Sequence, residues 1–359
     1  MSEQVWRVLR TRRRLSWWLG DRPTPRLLVA ASLLLDGDSY AGVAQAFSGG
    51  RFAPAPLAPS EQAALRRLEG RALDHRSMPD AVRLEVPDWL QPHIDPAELR
   101  ALLEPAPLDL RVNLLKATRD EARAALAAEG LDAVPTPHSP WGLRIEGRRQ
   151  VTTGTAFRAG LVEIQDEGSQ MVAARVDARP GQRVADLCAG AGGKTLALAM
   201  TMQNRGQLVA CDVSAARLDG AVRRLRRAGV HNVERHLLEP GDKWLKRRAG
   251  GFDRVLIDAP CTGTGTWRRN PDARLRLAES DLAELLAKQA ILLDQGASLV
   301  RSGGRLVYAT CSLLAQENQD QVTAFLSRRP HFALLEALSL TPARHGTDGF
   351  FVAVLERQP

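Results

Sequence analysis

Asp186-Leu187-Cys188-Ala189-Gly190-Ala191-Gly192-Gly193-Lys194-Thr195 is the stretch on which the fold turns. Before it, Gln182-Arg183-Val184-Ala185 ends apolar and reads as a buried strand. After it, Leu196-Ala197-Leu198-Ala199-Met200 is a run of strong helix formers. Strand, glycine-rich turn and helix bring a backbone close to a ligand at the carboxyl end of a strand. Glycine permits positive φ and removes the Cβ that would meet the ligand. The helix amino terminus then offers free N–H groups to an anion. Two familiar nucleotide loops do not fit. A phosphate loop needs glycine at position 188, which is Cys188, and a dinucleotide fingerprint needs a third glycine after Gly193 and Lys194, where Thr195 stands. Alone, the turn is compatible with having no ligand.

Two downstream stretches give it meaning. Asp258-Ala259-Pro260-Cys261 follows the apolar run Arg254-Val255-Leu256-Ile257, and Thr310-Cys311-Ser312 follows Leu306-Val307-Tyr308-Ala309. Each cysteine is expected just past the end of a strand, on the same edge of one parallel sheet. Together the three stretches resemble motifs I, IV and VI of the RNA cytosine-5 methyltransferases. That family includes the bacterial ribosomal small-subunit methyltransferase B type and the NOP2–Sun type. The DNA enzymes carry only the Pro-Cys of the fourth motif as nucleophile, whereas the RNA family resembles this chain in having a second cysteine in the sixth. Glu317-Asn318 also matches. Where relatives usually carry Ala-Pro, this chain has Gly190-Ala191.

The resemblance implies an S-adenosylmethionine-dependent enzyme of Rossmann-like α/β fold with a mostly parallel seven-stranded sheet. It assigns Cys311 as nucleophile, Cys261 to product release and Asp258 to stabilising the target base. It places the cofactor on Cys188, Ala189, Gly190, Ala191, Gly192, Gly193, Lys194, Asp212, Glu239 and Asp258. Lys194 is assigned to either the base or the cofactor. Asp212 ends a predicted strand, Leu208 to Cys211, about 20 residues past the turn, where an acidic side chain accepts from ribose hydroxyls. It also suits a helix cap before Ala215. Glu239 stands where relatives usually carry aspartate against the adenine. Free cysteine is more often a small buried hydrophobe, and that reading holds for Cys211, within the strand, while Cys188 suits a wall of the turn.

The rest of the chain divides into three expected parts. Residues 1–85 read as a helical accessory domain, possessing Thr24-Pro25 as a helix start and Ser60-Glu61 as another. Arg7, Arg10, Arg12, Arg13 and Arg14 there are either an RNA-facing surface or a solvated face. Residues 86–165 read as a small α+β module, and Arg111-Val112-Asn113-Leu114-Leu115-Lys116 resembles the family's RNA-recognition-like module. Arg111 and Lys116 are therefore expected to contact RNA. Residues 166–359 read as the catalytic domain. Within it, Thr262 to Thr266 is expected as a flexible loop, with Trp267 stacking a base and Arg268 and Arg269 holding phosphate beside the cysteines. The arginines of the helix 215–228 are expected on a solvated face.

Composition narrows the class. The 359 residues carry a formal net charge of +8, and arginine supplies 44 of the 49 basic residues because lysine stands only at 116, 194, 243, 246 and 288. Arginine makes forked contacts to phosphate, which suits nucleic acid, although a GC-rich genome gives the same bias. The 4 cysteines form no C-x-x-C pair, so neither zinc nor a disulfide framework is expected. The longest apolar run, Leu27 to Leu35, is too short to span a bilayer. These features point to a cytoplasmic protein without metal or membrane partner, and a monomer is expected although nothing in the sequence shows the oligomeric state. Ribosomal RNA of the small subunit is the favoured substrate, with transfer RNA second. The alternatives are a catalytically silent RNA-binding assembly factor and, disfavoured by Cys188, a P-loop nucleotide hydrolase.

Overall fold

A computed structural model describes residues 3–20, 22–147, 149–239 and 241–359. By its contacts the chain forms two compact units, Met1–Glu104 with Trp267–Leu277, and Pro105–Thr266 with Ala278–Pro359. The first unit runs past residue 85 to Glu104. The segment Trp267–Leu277 belongs with the first unit, although its sequence lies deep in the second.

The first unit is helical. Glu3–Arg10, Arg12–Leu19, Pro25–Leu35, Tyr40–Ala46 and Pro59–Arg66 are helices. Pro25 fits the first turn, where its missing N–H costs nothing, and the Thr24 side chain accepts from Leu27 N–H. Leu15, Leu28, Ala31 and Leu65 are buried together. Two of the amino-terminal arginines are paired within this unit. Arg14 lies 2.8 Å from Asp74 and 3.1 Å from the fully buried Glu85, while Arg13 donates to the Val86 carbonyl and to Asp88. These pairs tie the first helices to residues 74–88.

The second unit holds two sheets. Strands β1 (Leu108–Val112), β2 (Ala133–Pro135), β3 (Gly142–Ile145) and β4 (Val162–Ile164) form an antiparallel sheet in the order β2-β3-β1-β4. Thr118 starts the helix Arg119–Ala127 with a capping box closed by Glu121. Ala122 and Leu126 of that helix pack on Leu110, Val112 and Leu143 of the sheet. The layout is the ferredoxin-like β-α-β-β-α-β arrangement.

The larger sheet contains β5 (Arg183–Asp186), β6 (Gln207–Asp212), β7 (Val233–Leu237), β8 (Phe252–Asp258), β9 (Val300–Thr310), β10 (Phe332–Leu340) and β11 (Phe350–Arg357). Their order is β10-β11-β9-β8-β5-β6-β7. Strands β5 to β9 run parallel, and β11 is antiparallel to both neighbours. Alternation assigns the faces. Ala185, Val255, Ile257, Leu306 and Tyr308 pack with Leu293 and Phe325 on one side. Val184, Leu256, Val307 and Ala309 pack with Val172 and Leu198 on the other. With both faces covered, these strands read as continuous apolar runs. The sheet order reverses between β5 and β8, and such a switch point opens a crevice at the strand carboxyl ends. Strand β9 begins at Val300, ahead of Gly303 and Gly304, and Val300 pairs with Phe252.

Candidate active site

Four elements place their ends around that crevice. β5 delivers the glycine turn and the helix Gly193–Thr201. Gly192 caps this helix at φ 81°, a conformation costly for any residue with a Cβ, and a Cβ there would lie 3.1 Å from that of Ala221. β6 ends at Asp212. One carboxylate oxygen accepts from Gly190 N–H at 2.8 Å and the other from Ser214 N–H at 2.8 Å. Asp212 therefore braces the turn, while Ser214 caps the next helix by accepting from Arg217 N–H. A cavity of about 1030 Å³ opens here, lined by Gly190, Asp212, Val213, Leu238, Glu239 and Ile291 among others. Cys188, Ala189, Ala191, Asp258 and Pro260 also line it.

β8 and β9 deliver the two cysteine loops. Cys261 Sγ lies 3.4 Å from Cys311 Sγ, although 50 residues separate them in the chain. The adjacent strands have Asp258 opposite Ala309, which puts both cysteine loops at one edge. Cys261 keeps its proton. Its hydrogen bond to Cys311 and its burial push the thiol well above the usual range. Cys188 and Cys211 are pushed up as well, chiefly by burial.

Lys194 points at this edge. Its Nζ donates to Asp258 Oδ2 at 2.6 Å. Burial pulls the ammonium down, but Asp258 outweighs it with help from Cys311 and Asp186, and the net pKa is raised. The amine therefore stays charged. Beneath it, Asp186 is fully buried and accepts from Thr195 Oγ1 at 2.8 Å. Burial pushes its carboxyl up to about 7, and its Oδ1 has no hydrogen-bond partner. Nothing local in the sequence shows that the Asp186 and Thr195 side chains meet.

Three expectations need correcting. Arg111 is 2% exposed, and its guanidinium donates to Gln165 Oε1 and, at 2.8 Å, to the Gly193 carbonyl. It is an internal brace on the cofactor helix, not a surface contact for RNA, and burial lowers its pKa to about 10. Trp267 is 1% exposed, with the Arg274 guanidinium 5.4 Å from its ring centre, so it has no free face for a base. Arg268 beside it is buried too, whereas Arg269 is half-buried. The segment 262–266 is not a loose loop. Thr262, Thr264 and Gly265 are buried, and Gly265 N–H donates to the Cys311 carbonyl at 3.0 Å.

Two other basic groups are also occupied. Lys116 Nζ, on an exposed side chain, donates at 2.7 Å to the Ala159 and Arg227 carbonyls. In the helix Ala215–Ala228, Arg224 donates to the Ala191 carbonyl at 2.7 Å and lies 3.5 Å from Glu163, which also pairs with Arg227. That helix is thus not a simple solvated face. Arg224 and Arg111 hold the cofactor turn from behind, and both connect it to the ferredoxin-like sheet.

Residues 173–356 match the family described as 16S rRNA methyltransferase RsmB/F, and residues 96–152 match the ferredoxin-like domain of RsmF/B-like methyltransferases. The chain belongs to the RsmB/F family. It is 33% identical over 291 residues to the ribosomal RNA small subunit methyltransferase B of Photorhabdus laumondii, covering 76% of this chain and 66% of that protein. It is 34% identical over 313 residues to a probable ribosomal RNA small subunit methyltransferase B of Synechocystis, covering 79% and 70%. The chain thus spans just under two thirds of the Photorhabdus protein's length. A solved structure of a methyltransferase homolog protein from Pyrococcus horikoshii, 28% identical, covers 77% of this chain and 97% of its own with a TM-score of 0.69.

RsmB/F proteins use S-adenosylmethionine, and the crevice fits it. The cavity is large enough for a nucleoside cofactor. Asp212 retains lone pairs for ribose hydroxyls, and Val213 and Leu238 offer apolar surface to a base. Among the described residues, no group of three or more His, Cys, Asp or Glu is arranged to hold a metal. No helix among them is long and apolar enough to cross a membrane.

Proposed function

We propose that the protein methylates carbon 5 of a cytosine in RNA, in the cytoplasm, through a covalent bond between Cys311 and the base. Small-subunit ribosomal RNA is the substrate this reading favours, following the names of its relatives. The observation that carries it is the pair of thiols 3.4 Å apart beside a charged Lys194–Asp258 pair.

Carbon 5 of cytosine is a weak nucleophile until carbon 6 is saturated. Addition of the Cys311 thiolate at carbon 6 makes the ring an enamine, splitting one hard step into easier ones. S-adenosylmethionine, when bound, supplies the methyl group that carbon 5 receives. Asp212, the backbone of Gly190 to Gly193 and Glu239 are the residues that would hold it. Negative charge develops at nitrogen 3 during addition, and the proton between Lys194 Nζ and Asp258 is the means of balancing it. On release, the carbon 5 proton passes to water and its electron pair becomes the ring double bond. The carbon 6–sulfur pair then returns to Cys311. Cys261, still protonated, donates its S–H to the departing thiolate.

The test uses the full chain with labelled cofactor and small-subunit ribosomal or transfer RNA, read on denaturing gels. Cys261→Ala should accumulate a protein–RNA adduct, because loss of a hydrogen bond to a charged sulfur, worth about 1.5–3 kcal/mol, shifts the balance toward the thioether. The adduct should vanish when Cys311→Ala is added. Methylation that survives Cys311→Ala would overturn the assignment. If wild type binds RNA but neither methylates it nor takes up cofactor, an RNA-binding assembly role replaces the enzyme.

A further inference from the structure

Glu317 has no part in the steps above, yet it is fully buried between the two cysteine loops. Its carboxylate is met by neutral donors. Thr262 N–H donates at 2.9 Å, the Thr262 hydroxyl donates to the other oxygen, and Gln289 Nε2 donates at 2.9 Å. Gln289 Nε2 also donates to the Pro260 carbonyl at 3.0 Å. The Thr262 hydroxyl lies 3.2 Å from that of Ser312. One carboxylate thereby ties down the residues on either side of Cys261 and the residue after Cys311. The arrangement is expensive, because a buried carboxylate forfeits its hydration.

We propose that Glu317 is a positioning residue for the thiol pair, holding Cys261 through Thr262 in the place from which its S–H reaches the Cys311 sulfur. This rests on the covalent reading above. Thr262 is held at both its backbone N–H and its hydroxyl, which fixes the peptide that follows Cys261 and the Thr262 rotamer together. A small shift of the Cys261 sulfur beyond 3.4 Å would forfeit its contact with Cys311. The charge acts in the same direction. After the hydrogen bond to Cys311 and burial, the charges of Cys311 and Glu317 add to the elevation of the Cys261 thiol and help keep its proton in place. Glu317 therefore bears on release, where the carbon 6–sulfur bond breaks, the electron pair returns to Cys311 and the carbon 5 proton goes to water.

The experiment compares Glu317→Ala, Glu317→Gln, Thr262→Val and Cys261→Ala in the full chain. Each is incubated with S-adenosylmethionine and a small-subunit ribosomal RNA transcript, and the covalent adduct is read on denaturing gels. Cofactor affinity is measured by calorimetry. Glu317→Ala should raise the adduct about tenfold over wild type while the cofactor Kd stays within about twofold. Glu317→Gln preserves the shape, since its carbonyl takes the Thr262 N–H and its amide donates to the Thr262 hydroxyl. It should bring the adduct back to within about threefold of wild type. Thr262→Val, which loses only the hydroxyl, should raise the adduct about threefold and carries the test if Glu317→Ala does not fold. The proposal is overturned if Glu317→Ala and Thr262→Val give wild-type adduct levels while Cys261→Ala accumulates it. It is also overturned if both variants lose adduct and cofactor binding together, as a merely structural role would require. If Cys261→Ala itself yields no adduct, the covalent reading fails and the proposal goes with it.

Discussion

Replacing Arg111 by methionine separates a buried brace from an RNA contact. The side chain keeps much of its volume but loses hydrogen bonds to Gln165 and to the Gly193 carbonyl. Two charge-assisted bonds contribute about 3–6 kcal/mol together. Against this stands the burial cost of the guanidinium, whose pKa falls from 12.5 to about 10, or roughly 3 kcal/mol at 1.36 kcal/mol per unit. The net effect on stability is therefore small, about 0–3 kcal/mol. The cofactor is the better reporter, because Gly193 opens the helix that directly follows Gly190 and Ala191, which line the cavity. Loosening it should cost about 1–2 kcal/mol of binding, a roughly five- to thirtyfold weaker S-adenosylmethionine Kd by calorimetry. The salt dependence of RNA binding should stay as in wild type. A lost phosphate contact would instead lower the slope of log K against log salt by about 0.7. A shallower slope with an unchanged cofactor Kd would refute the brace and restore Arg111 to the RNA surface.

Two further outcomes follow from the same geometry. Asp186 has a folded-state pKa of about 7 against an ordinary 3.8, so its contribution to stability is full below about pH 3.8 and is lost as pH rises toward 7. Relative to Asp186→Asn, wild type should lose roughly 1.4 kcal/mol per pH unit between pH 5 and 7 in urea unfolding without cofactor; a gain over that range would mean that the carboxylate is ionised and paired. Trp267→Ala should destabilise the protein by about 3–5 kcal/mol, as a fully buried indole does; unchanged thermal stability with weakened RNA binding would return the ring to a base-stacking role.

The catalytic fold was legible because its signals are local. A glycine turn between an apolar strand and a helix, and two cysteines each placed just after an apolar run, depend on neighbours within a few residues. Which face Val255, Leu256 or Val307 takes was not legible, because β8 and β9 are apolar on both sides. The arginines of 215–228 and the run 262–266 were harder. A charged or hydroxyl side chain reads as solvated until its partner is known, and the partners Glu163 and Glu317 lie tens of residues away.

By itself, then, the sequence determined the strand, turn and helix around Gly190 and the two strand-end thiols, since backbone conformation follows from short-range sterics and periodicity. Only the tertiary structure decided what each polar group touches. It brought Cys261 and Cys311 to 3.4 Å, placed Lys194 on Asp258, drew Arg111 inward onto Gly193 and buried Trp267. Such pairings are settled by burial and desolvation, which depend on residues remote in the chain and leave no period in its sequence.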